Sequence, residues 1–266
     1  MIRISAILLS VLAGIVCGRL LRMGVSHWRP SRQGQTKRFR FPLVEFALGA
    51  IWGFLAWRLA DFLDMLHAQL GLEFPYTNLE YTAGIMLLCL ILVGIAMLDA
   101  DHFGFSDFIT LPGVAVGVLF YAITSQQMMW YFVSESTPVR DIAQRLLSVV
   151  AAGALVMVIH WGYWLLCHRE ILGWREAHLM AMLAAWLGLP GALLAFGIGV
   201  SIGIALLLAW HILPKAWQYR DQWALPNVPV GALVCAGGIV SCLWGPQILA
   251  MYLRWSSLPK LAFRLP

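Results

Sequence analysis

Five carboxylates and three histidines gather in two short stretches of an otherwise apolar chain. The first is Leu98-Asp99-Ala100-Asp101-His102, followed by Asp107-Phe108-Ile109-Thr110-Leu111-Pro112. The second is His168-Arg169-Glu170-Ile171-Leu172-Gly173-Trp174-Arg175-Glu176-Ala177-His178. Carboxylates that meet across a fold do acid/base work: like charges held close cannot both ionise, so one keeps its proton while its partner accepts one. Plainer readings stand beside this. Asp107 or Ser106 can cap a helix, and the second stretch can be an ordinary interfacial loop. Asp99 and Asp101 are two apart, as are Glu176 and His178, whereas helical neighbours on one face are three or four apart. A metal site is therefore not expected.

The chain around these residues is unlike a soluble domain. Of its 266 residues, 61% are apolar and only 12% charged, with a mean hydropathy of +0.79; soluble domains sit near ~45–50% and ~25%. Soluble dehydrogenase, nucleic-acid-binding and disulfide-scaffold classes are excluded on that ground. The net charge of +5 is read as a record of which loops stay in the cytoplasm, not as a mark of an anionic or nucleic-acid partner. The five cysteines lie in or beside apolar runs with no C-x-x-C spacing, so neither a zinc cluster nor a disulfide framework is expected. Gly197-x-Gly199-x-x-x-Gly203 sits inside a span and reads as close helix packing, so no cofactor is expected.

Apolar runs at 4–21, 43–60, 83–98, 108–125, 146–167, 178–189, 191–210 and 228–252 predict an all-α polytopic membrane protein with about eight transmembrane helices. Pro190-Gly191 splits the short sixth run from the seventh, and the pair can also be one bent element. The whole chain, 1–266, reads as one membrane domain with a short basic loop at 18–42 and a core at 43–252. The first helix imitates a signal peptide but has no small-x-small cleavage site, so it is expected to be retained. Residues 18–40 carry seven positive charges and no acid, while 61–82 carry four acids and no Lys or Arg. The first loop is thus assigned to the cytoplasm, and alternation places 99–107, 168–177 and 211–227 there too. Arg140, Arg145, Arg254, Lys260 and Arg264 fall on the other side. Two spans separate Asp99, Asp101 and Asp107 from Glu170 and Glu176, so both groups emerge on one face. His160 and His211 read as packed or interfacial, and Trp and Tyr residues near span ends as interfacial belts.

These residues resemble a known family, the bacterial type IV prepilin peptidases, polytopic aspartic proteases of the inner membrane. Asp99-Ala-Asp101-His102, then Asp107 and Thr110-Leu-Pro112, resembles the family's first aspartate motif. Arg40-Phe-Pro42-Leu-Val-Glu45 resembles its R-Y-P-L-V-E segment. Gly173 to Gly188 resembles the G-x-G-D-x-K-L-L-A-A-L-G-A-W-L-G motif, and Leu225-Pro226-Asn-Val-Pro229 and Leu243-Trp-Gly245-Pro-Gln-Ile resemble the last segment. The resemblance implies that Asp99 and Glu176 activate a water to cut leader peptides, with Asp101, Asp107, His178 and Glu45 in support. It implies prepilin or type II secretion pseudopilin precursors as partners, together with the lipid bilayer. The chain departs from the family at Arg175-Glu176, where the motif has Gly-Asp, at His178 in place of the lysine, and at Ser106 in place of proline. No cysteine lies between Cys17 and Cys89, where full-length members carry a cysteine-bearing domain linked to methylation, so methyl transfer is not expected. Two further readings stand: a catalytically inactive paralogue serving pilus or secretion assembly, and a small transporter using intramembrane Asp and His.

Overall fold

The computed structural model describes residues 2–27, 41–70, 76–100, 106–129, 138–168, 173–212 and 230–262. They form seven helical elements: α1 (Ile2–His27), α2 (Phe41–Leu70), α3 (Tyr76–Ala100), α4 (Ser106–Met129), α5 (Pro138–Cys167), α6 (Trp174–Ile212) and α7 (Val230–Ala262). Helix is what lipid demands, because a spanning segment must satisfy its own backbone N–H and C=O groups. Five stretches are long and apolar enough to cross a membrane: Ile4–Leu21, Leu43–Asp61, Glu80–Asp99, Val139–Cys167 and Trp174–Ala209; two shorter apolar helices are Ile109–Thr124 and Val230–Gly245. The protein is all-α, polytopic and multi-pass in the membrane. Leu8, Leu9, Leu12, Val16 and Leu20 of α1, and Leu147, Val150, Val158 and Leu165 of α5, lie exposed as lipid-facing stripes.

The expected eight spans are corrected. The sixth and seventh apolar runs are two helical arms, described together as α6, that join at Gly188 (φ 76, ψ 172) and not at Pro190-Gly191, and the first arm is too short to be a full span. The fifth run also starts earlier than hydropathy suggested, at Pro138, because Arg140, Asp141 and Arg145 sit within the helix.

Neighbouring helices give the direction of each arm of α6. In the first arm, 174–187, Met182 lies against Gly113 and Trp186 against Gly117, and Trp186 Nε1 donates to the Gly113 carbonyl at 3.0 Å. This arm therefore runs parallel to α4. In the second arm, Gly203 meets Leu233 while Ser241 Oγ donates to the Gly191 carbonyl at 3.1 Å, so it runs antiparallel to α7. The short connection at 101–105 makes α3 and α4 antiparallel, with Gly84 against Phe120. Asp99 against Gly231 and Leu92 against Gly238 make α3 and α7 antiparallel as well. The two arms thus run in opposite directions, a hairpin that enters and leaves on one face. The first arm's 14 or so residues reach only ~21 Å, against a hydrocarbon core of about 30 Å.

That short arm is the centre of the molecule. Leu179, Met180 and every residue from Met182 to Trp186 are buried, in one core with Leu88, Leu92 and Ile95 of α3, Ala152 and Val156 of α5, and Val234 and Cys235 of α7. An apolar helix buried all round is a core element. Beside it α1 and α2 cross closely: a Cβ on Gly14 would stand 2.7 Å from the Leu48 carbonyl oxygen, and one on Gly18 2.9 Å from the Cα of Glu45. Small residues four apart allow that approach.

Candidate active site

Asp99 stands in the last turn of α3, half-buried, and its Oδ2 accepts a hydrogen bond from the Ala232 N–H at 2.9 Å. The donor belongs to the first turn of α7, whose leading N–H groups have no partner within their own helix and form its positive end. An apolar segment 133 residues further along the chain thus orients the carboxylate.

Glu176 stands in the first turn of α6. Its Oε2 accepts from the Gly173 N–H at 2.7 Å, and the Ala177 N–H donates to the Gly173 carbonyl at 3.4 Å. This is the reaching-back half of a capping box. α5 closes just before it with His168 in the left-handed region (φ 51), its N–H donating to the Trp164 carbonyl at 2.9 Å, a helix-ending device.

The two carboxylates stand at the same end of the bundle. A Cβ on Gly238 of α7 would lie 3.0 Å from both Leu92 of α3 and Leu183 of α6. Asp99 is seven residues beyond Leu92, Glu176 seven before Leu183, and Gly231 seven before Gly238. Each step is two turns, about 10.5 Å, in the same direction. Their hydrogen bonds go to two different helix starts.

The remaining candidates are distributed more widely. Glu45 packs into the α1–α2 crossing, and the His178 ring lies 6.4 Å from that of Trp174. Arg175 is exposed. Asp101, His102, Glu170 and the side chains of Ser106 and Asp107 lie outside the described residues. Sequence reasoning passed over Arg145, which it counted only as a charge on the outer side. Its guanidinium carbon lies 3.8 Å from the centre of the Tyr121 ring, and its Nη1 donates to the Ala184 carbonyl at 3.4 Å. The visible signal was a cation flanking a long apolar run, which in a membrane asks for a partner.

Fold and site together define a polytopic helical membrane protein with two carboxylates at one mouth of its bundle. The chain is 28% identical over 224 residues to the prepilin leader peptidase/N-methyltransferase of Stutzerimonas stutzeri, covering 82% of this chain and 63% of that protein. With the protein of the same name in Pseudomonas aeruginosa it shares 26% identity over 222 residues, 82% of this chain and 62% of the relative. With that of Escherichia coli the figures are 28% over 136 residues, 50% and 54%. The chain therefore spans somewhat more than half the length of these relatives. No family profile matches it, and no solved structure does. The resemblance to the type IV prepilin peptidase family extends over most of the chain.

Proposed function

We propose that the protein is a prepilin-peptidase-like aspartic endopeptidase of the bacterial inner membrane, cutting leader peptides of type IV pilin or type II secretion pseudopilin precursors at the cytoplasmic face. The observation that supports this best is the placement of Asp99 and Glu176 at one end of the bundle, on helices that converge on Gly238. One carboxyl, protonated, polarises the scissile carbonyl; the other takes the proton of the attacking water. The remaining candidates, Asp101, Asp107, His178 and Glu45, support the pair. Methyl transfer is not part of the proposal.

The inactive-paralogue reading is favoured by a specific observation. Glu176 is engaged in capping its own helix, at 2.7 Å from the Gly173 N–H, and the exposed Arg175 stands where the family motif has glycine. A longer side chain moves a carboxylate by more than ~1 Å, a misplacement that can cost about 100-fold in rate. The test is a cleavage assay in membranes of a strain lacking its own prepilin peptidase. An active enzyme slowed by geometry gains ~100-fold when Arg175→Gly and Glu176→Asp are introduced together, and loses everything with Asp99→Asn, since an amide is no base. Cleavage surviving Asp99→Asn overturns the site, and no cleavage in any variant selects the inactive reading.

A further inference from the structure

The first arm of α6 ends inside the protein. At Gly188 the backbone turns to φ 76 and ψ 172, and the carbonyls of the arm's last turn lose the N–H partners a continuing helix would supply. They form the negative end of the helix, among the buried residues Ala184, Ala185, Trp186 and Gly188. Arg145, from α5, stands at this end. Its Nη1 donates to the Ala184 carbonyl at 3.4 Å and lies 2.7 Å from where a Cβ on Gly188 would be. Its guanidinium rests on the face of Tyr121 from α4, 3.8 Å from the ring centre, a stacking that planar guanidinium favours and ammonium achieves less well. One cation therefore ties α4, α5 and the turn of the hairpin together.

We propose that Arg145 is a positioning residue: a latch that fixes how deeply the hairpin turn sits between α4 and α5, and through the rigid first arm fixes the position of Glu176. From Gly188 to Glu176 the arm is a helix of twelve residues, about 18 Å, so an axial slip at the turn reaches the carboxylate undiminished. The importance of Glu176 rests on the peptidase reading, whereas the latch itself does not.

The test measures the latch without activity. Spin labels are placed at Arg140→Cys and Arg175→Cys, both exposed positions on α5 and on the first turn of α6, in the full chain with its five own cysteines replaced. Their separation follows the depth of the first arm. The latched protein gives one narrow distance distribution. Arg145→Met moves or broadens it by at least half a helical turn, ~3 Å, and Arg145→Lys, which keeps the charge at the carbonyls but loses the planar stack on Tyr121, gives a distribution between the two. If Arg145→Met does not fold, Tyr121→Leu, which removes the ring and hydroxyl that Arg145 contacts, decides by the same measure. An unchanged distribution overturns the latch even if cleavage is lost. In parallel, unlabelled Arg145→Met is expected to lose prepilin cleavage by about 100-fold in kcat at little change in KM. A distance shift in a protein whose wild type never cleaves keeps the latch and removes the peptidase reading.

Discussion

At Asp99 the decisive neighbour is a residue with no side chain. A Cβ on Gly231 would stand 2.7 Å from Oδ2 of Asp99 and 3.0 Å from its Cγ, so a larger residue there would push the carboxylate away from the first turn of α7. Gly231→Val is expected to push Asp99 off the Ala232 N–H, lowering prepilin cleavage by ~10- to 100-fold and stability by about 1–2 kcal/mol. The checks are the cleavage assay and unfolding in detergent; wild-type values in both would refute this role. Asp99 itself was legible in the sequence, as a charge closing an apolar run. Its partner was not, because a backbone N–H leaves no trace in the side-chain pattern. Glu176 was legible as an acid but not as a cap, although Gly173-x-x-Glu176 has the spacing of one. The sequence reading looked for caps at Asp107 and Ser106 instead.

Among the elements, α6 separates what hydropathy reports from what it cannot. The apolar runs marked the helices, though not their ends: α2 continues to Leu70 and α5 begins at Pro138, past charged residues that hydropathy scores against a span. A helix buried in protein and a helix facing lipid are equally apolar, so 178–189 read as a span. Its length was the one warning. The break was sought at Pro190-Gly191, yet proline is tolerated in the first turn of a helix, and Pro190 falls in the opening turn of the second arm. The residue that turns the chain is Gly188, whose φ and ψ lie in a region essentially reserved for glycine. Gly188→Ala is expected to cost about 1–3 kcal/mol in backbone strain, with the nearby Arg145 Nη1 displaced as well. Chemical denaturation of the solubilised protein measures this, and an unchanged midpoint would show that the turn is unstrained.

For the whole molecule, the central arm is insulated from the bilayer. Spanning helices answer to membrane thickness by tilting or by distorting the lipid around them, at fractions of a kcal/mol per Å of mismatch. α1 and α5, with their exposed apolar stripes, are open to that pressure. The first arm of α6 has no lipid-facing run between Met182 and Trp186, and its inner end is held by Arg145 and not by a headgroup layer. Reconstituted in vesicles of increasing acyl-chain length, labels on α1 and α5 should change their tilt, while the distance from Arg175 to the start of α7 stays constant. A steady drift of that distance with acyl length would contradict the insulation. Glu176 is thus carried by a helix arm buried, among the described residues, away from lipid, so its position relative to the neighbouring helices is expected to be kept from one lipid composition to the next.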